Sequence, residues 1–252
     1  MKINMTLIKY ILITYVALLF IGCGASIPTD LSNPESIFNS GVKYLENEDF
    51  PEAKRMFDLI VYQYPASQFA DDAQFYQGEL SFNKGEYILA AFNYNRVRKQ
   101  YPSSIYVKDA VYKTALSYYK LSPTYDRDQD YTHKAIEALQ EFQYLYPDDK
   151  LYSEVSEKIQ ELRNKLAYRD LFTAQLYMKM DNPRSSIIYY ESVINSYSDT
   201  DSYEEAFLGK IGALVYMKKD IDAESMIIAY KSNFPNSQKL QELDKMLESI
   251  KK

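Results

Sequence analysis

The longest uninterrupted apolar pattern of the chain lies between Lys150 and Met180. Val155, Ile159, Leu162 and Leu166 follow one another there at steps of four, three and four, which place them on one face of a helix, and the pattern continues into Leu171 and Leu176. No Gly or Pro interrupts the segment. The pattern predicts one helix of about 28 residues, roughly 42 Å long at 1.5 Å per residue. We interpret its apolar stripe as core, the alternative being a surface for a partner helix.

A second pattern is an aromatic residue followed by Pro, which recurs along the rest of the chain. It stands at Tyr64-Pro65, Tyr101-Pro102, Tyr146-Pro147 and Phe234-Pro235, with a degenerate copy at Tyr197-Ser198. A small residue precedes the last position of each copy by twelve residues, at Ala53, Ala90, Ala135, Ser186 and Ala223. A small residue at one fixed place predicts two helices that cross closely there, and Pro predicts the end of the second helix.

This arrangement resembles the tetratricopeptide repeat, a helix pair with small residues at its eighth and twentieth positions, large residues at its eleventh and twenty-fourth, and Pro at its thirty-second. The matching residues are Gly41, Tyr44, Ala53, Phe57 and Pro65 in the first copy, Gly78, Ala90, Tyr94 and Pro102 in the second, and Ala135, Pro147, Ala223 and Pro235 in later copies. In the fifth copy Gly212 stands eleven residues before Ala223 instead of twelve. The resemblance implies an all-α tetratricopeptide-repeat superhelix of about five helix pairs.

Two spacings between copies are longer than the usual 37 residues. The spacing of 45 places an inserted loop at residues 121–132, and the spacing of 51 accommodates the long helix. Within the insertion, Asp126, Arg127 and Asp128 form either a recognition loop or a local ion-pair clasp, with Asp128 or Asp130 capping the next helix. We expect His133, the single histidine, to be a surface residue.

The N-terminus predicts a secretory signal. Lys2 and Lys9 precede an apolar segment, Tyr10 to Ile21, that is followed by Gly22-Cys23 and is too short to span a bilayer. The sequence Phe20-Ile21-Gly22-Cys23 resembles a bacterial lipobox, which implies cleavage after residue 22 and acylation of Cys23. Residues 1–22 would then be a lipoprotein signal peptide, and residues 23–33 the lipidated Cys and a tether. Gly24 is not the Asp that retains lipoproteins in the inner membrane, so we expect the outer membrane.

Composition excludes several functions. One Cys and one His cannot build a Cys/His zinc site or a disulfide, and the seven glycines form no nucleotide-binding or nucleophile-elbow motif. Loss of residues 1–22 removes two lysines and no acid, so the net charge changes from −6 to −8. An acidic chain lacks the basic footprint of nucleic-acid binding. We therefore expect no enzyme, no cofactor, no metal and no nucleic acid.

The repeat register also predicts a binding groove. Positions five and twelve of each first helix face the concave side of such a superhelix, and here most of them are aromatic. Rigid rings suit an extended peptide with apolar side chains, although the tether, the loop or tight winding could cover them instead. The candidate substrate groove consists of Phe38, Phe75, Glu79, Phe82, Tyr112 and Tyr119, with Glu79 as a partner for a peptide amine.

Together, the lipobox, the five helix pairs, the insertion in the third and the long helix resemble the BamD family of outer-membrane assembly lipoproteins. The resemblance implies repeats one to three at residues 34–150, and the long helix with repeats four and five at residues 151–252. It also implies a periplasm-facing scaffold of the BAM complex in a Gram-negative outer membrane. The C-terminal part would bind BamA, and the N-terminal part would receive unfolded outer-membrane β-barrel proteins.

Two other classes remain open. One is an envelope lipoprotein that organises peptidoglycan machinery, as the CpoB-type repeat proteins do. The other is a glycan-binding lipoprotein of the SusD type, although those are about twice as long and use Trp, which this chain lacks.

Overall fold

The computed structural model describes Ile27 and residues 29–250, and this part of the chain is helical without strands. The signal peptide and Cys23 lie outside the described residues. The helices are α1 Pro34–Glu46, α2 Phe50–Gln63, α3 Ala70–Asn83, α4 Tyr87–Gln100, α5 Val107–Leu121, α6 Asp130–Leu145, α7 Tyr152–Lys179, α8 Pro183–Ser196, α9 Tyr203–Tyr216, α10 Asp220–Asn233 and α11 Leu240–Ile250. In the described part, none of them has the length and apolar character needed to cross a membrane.

The chain divides into two compact units, and the division falls within α3, between Tyr76 and Gln77. The first unit contains α1, α2 and the start of α3. The second contains the rest of α3 and all later helices. The division between repeat groups at residues 150 and 151 stays a prediction.

Close helix crossings occur where the small residues stand. The residues at the repeat's twentieth position, Ala53, Ala90, Ala135, Ser186 and Ala223, are all fully buried. A Cβ atom added to Gly41 would lie 2.7 Å from the Phe57 ring, and one added to Gly78 would lie 2.4 Å from the Tyr94 ring. The tetratricopeptide fold is thus confirmed as a set of helix pairs that meet at small residues.

Each second helix ends at its aromatic residue. The backbone N–H groups of Tyr64, Tyr101, Tyr146, Tyr197 and Phe234 donate to the carbonyl four residues earlier, at 2.8 to 2.9 Å. Tyr197 does so although Ser198 follows it instead of Pro. Each second helix therefore makes its last helical hydrogen bond at the aromatic residue, including the copy in which Ser stands in place of Pro.

Within four of the repeats the two helices are joined by the same turn, whose central residue has a positive φ. These central residues are Glu48 (58°), Gly85 (75°), Asp181 (56°) and Lys218 (56°). In each turn the N–H of the central residue and the N–H of the next residue donate back to the first helix and close it. Only one of the four is Gly, the residue that adopts this conformation without strain.

The long helix is confirmed as α7, with 28 residues. In the second unit, Val155 and Leu162 of α7 are fully buried against α5 and α6, together with Leu139 and Phe142. The fifth repeat differs from expectation. A Cβ on Gly212 would meet nothing within 4 Å, whereas a Cβ on Gly209 would lie 2.3 Å from the Tyr190 ring. Gly209, not Gly212, is the close-approach glycine, because α9 packs on α8 through that face.

Candidate protein-binding site

In the first unit, the two candidate groove rings are packed into an aromatic cluster. The Phe38 ring stacks on Phe69 at 5.7 Å and meets the edge of Tyr76 at 5.2 Å, and Phe38 is half-buried. Phe75 contacts Tyr76 at 6.0 Å and is only 7% exposed. Phe38 therefore presents part of a ring to the surface, while Phe75 contributes mainly to packing.

In the second unit, Glu79 already has a cationic partner. Its carboxylate accepts a hydrogen bond from the Tyr94 hydroxyl at 2.7 Å and forms an ion pair with Lys113 at 2.9 Å. Burial, with the nearby charge of Glu79, raises the pKa of Tyr94 well above its usual range. The Lys113 ammonium also lies 5.3 Å from the centre of the Phe82 ring. An intramolecular lysine thus occupies the position that the sequence analysis assigned to a peptide amine.

Tyr112 and Tyr119 tie α5 to the long helix. Their hydroxyls donate to Glu154 at 2.7 Å and to Glu161 at 2.5 Å, and Lys158 lies 5.0 Å above the Tyr119 ring. Burial raises the pKa of Tyr112, and the hydrogen bond to Glu161 raises the pKa of Tyr119 to about 12, so both hydroxyls stay protonated donors.

The carboxylates of Glu154 and Glu161 are exposed and also bind the tyrosines of α5. One signal was available in the sequence, because Tyr112 and Tyr119 are seven residues apart and so are Glu154 and Glu161. Two helices that pack side by side bring such equal spacings into register.

The inserted loop joins α5 to α6 over residues 122–129, and a buried amide organises it. Gln129, 3% exposed, donates to the carbonyls of Thr124 and Arg127 at 2.8 Å each and accepts from Thr132 at 2.7 Å. Gln129 occupies the N-cap position of α6 without a side-chain hydrogen bond to the helix backbone, and the Asp128 carboxylate accepts from the N–H of Asp130, the first residue of the helix. Of the two predicted capping residues, Asp128 therefore makes a contact at the start of α6. Sequence reasoning missed Gln129 because a glutamine is an uncommon N-cap residue.

The acidic and basic residues of the loop are exposed. Asp128 accepts from the backbone N–H of Asp130 at 3.0 Å. A hydrogen bond from Thr124 lowers the pKa of Asp126, with a smaller contribution from the charge of Arg127. Among the residues that the structure describes, no ion pair joins Arg127 to a carboxylate, so the clasp alternative lacks its central contact. His133 is exposed, as predicted.

The long helix carries an exposed apolar stripe. Tyr168, Phe172 and Leu176 are 46%, 41% and 45% exposed and follow one another at steps of four, which places them on one face of α7. Leu176 was predicted to be core and is not, because the buried stripe continues through Ala174 instead. We name Tyr168, Phe172 and Leu176 the α7 stripe.

Tyr125 from the inserted loop packs on the α7 stripe. Its ring meets Tyr168 edge-on at 4.8 Å and Phe172 at 5.5 Å. The loop and the long helix therefore form one surface, with aromatic groups at its centre and charged residues of the loop beside it.

A second apolar surface lies on α4 and was also missed. Ile88 and Phe92 are 59% and 58% exposed and, with Leu89 and Leu121, line a hollow of about 480 Å³. In the described part of the chain, no group of three or more His, Cys, Asp or Glu side chains could hold a metal ion.

Comparison with known proteins identifies the family. The model of the YfiO family, described as an outer membrane lipoprotein, matches residues 31–226, more than three quarters of the chain. The chain belongs to the YfiO (BamD) family. This YfiO-family chain is 26% identical over 202 residues to the outer membrane protein assembly factor BamD of Rickettsia prowazekii, covering 80% of each chain. It is 22% identical to BamD of Caulobacter vibrioides, covering 80% of this chain and 66% of that one.

Other similarities are shorter or more distant. Over 63 residues, a quarter of the YfiO-family chain, it is 30% identical to the cell division coordinator CpoB of Pseudomonas putida, covering 24% of that protein. Among solved structures, the TPR2AB-domain:pHSP90 complex of yeast Sti1 matches 87% of this chain and 98% of its own, with 13% identity and a TM-score of 0.45.

Proposed function

We propose that this chain is a non-catalytic assembly factor for outer-membrane proteins, a scaffold of the BAM complex in a Gram-negative bacterium. The family match over residues 31–226 and the similarity to BamD proteins over four fifths of the chain support this proposal. We further propose that Cys23 carries the lipid that anchors the chain to the outer membrane, with the helices in the periplasm.

The observation that carries the partner proposal is the α7 stripe. Exposed aromatic residues on a rigid helix, with charged residues beside them, are typical of the centre of a protein–protein interface. We propose that BamA docks here, on the long helix and the C-terminal repeats. The exposed Asp126, Arg127 and Asp128 would form polar contacts at the rim of this interface.

We propose that unfolded β-barrel proteins bind to the partly exposed rings of the N-terminal repeats. Phe38 of the first unit, and Phe82, Tyr112 and Tyr119 of the second, each keep part of their ring at the surface. The apolar hollow beside Ile88 and Phe92 would accept a further apolar side chain. Within the first unit Phe75 would contribute packing, and within the second unit Glu79 would act through its ion pair with Lys113.

Capture of BamA from detergent-solubilised outer membranes tests the partner proposal. The tagged full chain should retain BamA, and Phe172→Glu with Leu176→Glu should abolish retention, because charge in the apolar centre of an interface is costly. The matched control is Ile105→Glu with Tyr144→Glu, at side chains that are 84% and 85% exposed outside the stripe. Equal retention by the stripe variant and the wild type would reject the α7 stripe as the docking surface.

Peptide binding tests the substrate proposal. A peptide from the last strand of a barrel protein should bind the full chain, and Phe82→Ala with Tyr119→Ala should weaken it several-fold. Tyr119→Phe, which keeps the ring and loses only the hydroxyl, should bind as the wild type does. Unchanged affinity in the double variant would reject these rings as the binding surface.

One observation favours a second candidate. The similarity to the cell division coordinator CpoB over 63 residues is compatible with a scaffold for cell-division and peptidoglycan machinery. The same capture experiment separates the two candidates, because such a scaffold would retain cell-division proteins in place of BamA.

A further inference from the structure

The residues before α1 are bound to the first helix pair, unlike the free tether that composition predicts. The Ile27 N–H donates to the Tyr44 hydroxyl oxygen at 2.9 Å, and the Thr29 hydroxyl donates to Ser40 at 2.8 Å. Tyr44 and Ser40 both lie on α1 and are buried. This part of the segment therefore runs along α1, towards the end of that helix.

The other half of the segment is held from α2 and from the start of α1. The Tyr64 hydroxyl, at the end of α2, donates to the Leu31 carbonyl at 2.9 Å. The Asp30 N–H donates to Ser36 at 3.0 Å, and Asp30 accepts from the N–H and the hydroxyl of Ser32 at 2.9 and 2.7 Å. We name Ile27 and residues 29–33 the strap.

The strap fixes the point at which the chain leaves the first helix pair. Ile27 lies beside Tyr44, which is two residues before the end of α1 at Glu46. Ile27 is only four positions after Cys23, and four steps along the chain span at most about 14 Å. Without the strap, the eleven residues from Cys23 to Pro34 would span up to about 40 Å.

We infer that the strap is a short leash that holds Ile27, and with it the Tyr44 end of α1, close to the lipid surface, since Ile27 lies within about 14 Å of Cys23. The inference rests on the proposed lipid anchor at Cys23. A short leash limits how far the first helix pair can move from the membrane and keeps the end of α1 on the side nearest the lipid. Tyr44 and Tyr64 have a role here beyond the repeat, because their hydroxyls hold the strap.

Energy transfer to a labelled membrane measures the leash. The chain contains no Trp, so Phe50→Trp at the start of α2 provides a single donor beside the turn. The lipidated full chain is reconstituted in phosphatidylethanolamine and phosphatidylglycerol vesicles that carry a dansyl-labelled lipid. Tyr44→Phe with Tyr64→Phe removes both hydroxyls and keeps both rings. Tyr216→Phe removes a hydroxyl that binds Asp181 elsewhere, and is the matched control.

The expected result is efficient transfer in the Phe50→Trp chain and in the Tyr216→Phe control, and at least a two-fold loss in the double variant. Hydrogen exchange of the strap amides in the non-lipidated chain should be slow in the wild type and at least ten-fold faster in the double variant. Equal transfer in the double variant and its parent, or fast exchange of the wild-type strap, would overturn the leash. Mass spectrometry of the Cys23 peptide reports the anchor separately, since a missing acyl group overturns the lipid anchor while the exchange result still reports the docked strap.

Discussion

Arg163 of the long helix grips Asp199 with two hydrogen bonds, at 2.7 and 2.5 Å, and also donates to the Ser196 carbonyl at 2.9 Å. Gln160 adds a bond to the Asp199 carbonyl at 2.7 Å. This clamp holds the loop after α8, where Ser198 stands in place of the Pro that follows the other second helices. Side chains of the long helix thus hold the loop after α8, the one second helix in this part of the chain that is not followed by an aromatic-Pro pair.

We predict that Asp199→Asn lowers the free energy of unfolding by about 1 kcal/mol, because it replaces a charge-assisted bidentate pair at a partly exposed site. Urea denaturation of the full chain measures the change. Asp222→Asn, which breaks the exposed pair with Lys219 at 3.7 Å, is the control and should have less effect. A larger loss for Asp222→Asn than for Asp199→Asn would contradict this account of the Asp199 contacts.

The same pair predicts a pH dependence. Hydrogen bonding from Arg163 holds the pKa of Asp199 below its usual range, so the folded state binds this proton less readily than the unfolded chain does. The stability that Asp199 contributes is therefore present above the unfolded pKa of about 3.9 and is lost as the pH falls through the folded pKa. The difference in unfolding free energy between wild type and Asp199→Asn should be constant from pH 5 to 7 and should shrink below pH 4. A constant difference down to pH 3 would show that the carboxylate charge is not involved.

Two glycines in first helices should respond oppositely to alanine. Gly78→Ala places a methyl group 2.4 Å from the Tyr94 ring and should destabilise the chain by about 1 to 3 kcal/mol through overpacking. Gly212 lies in the interior of α9, and an added methyl group there meets no atom within 4 Å. Gly212→Ala should therefore stabilise the chain by about 0.5 to 1 kcal/mol, since Ala favours helix over Gly. Thermal and urea unfolding compare the two. Destabilisation by both substitutions would contradict the assignment of Gly212 to open space.

The turns with positive φ allow backbone strain to be tested separately from side-chain packing. Lys218→Gly should stabilise the chain by about 1 kcal/mol, because Lys adopts φ 56° only with strain. Gly85→Ala should destabilise it by a similar amount, about 1 kcal/mol, although a methyl group there meets no atom within 4 Å. Opposite signs from the two substitutions are the expected outcome, and equal signs would contradict the shared turn geometry.

The repeat itself could be predicted from the sequence because its signals are local. The buried small residues at 53, 90, 135, 186 and 223 stand at one fixed offset, and an uninterrupted apolar pattern sets the length of α7. Surfaces were harder to predict because they depend on neighbours from distant parts of the chain. Phe75 and Phe82 were both predicted to face the groove. Phe75 is buried, however, and the Phe82 ring lies under Lys113 of α5.

The same reason explains what was missed. The packing of α9 on α8 determines which glycine lies against an aromatic ring, and that glycine is Gly209, not Gly212. The spacing of residues in the sequence does not identify Tyr190 as the ring involved. The α7 stripe differs from the buried stripe of the same helix by a rotation of one residue. A pattern of apolar positions alone does not separate the two faces when both carry large apolar side chains.

The most direct test of the assembly role is the amount of folded barrel protein in the outer membrane of the native bacterium. Cells in which the only copy of this chain carries Phe172→Glu with Leu176→Glu should show less folded barrel protein, measured by its heat-modifiable migration in gels, while Ile105→Glu with Tyr144→Glu should match the wild type. Normal levels of folded barrel protein after depletion of the chain would contradict the account.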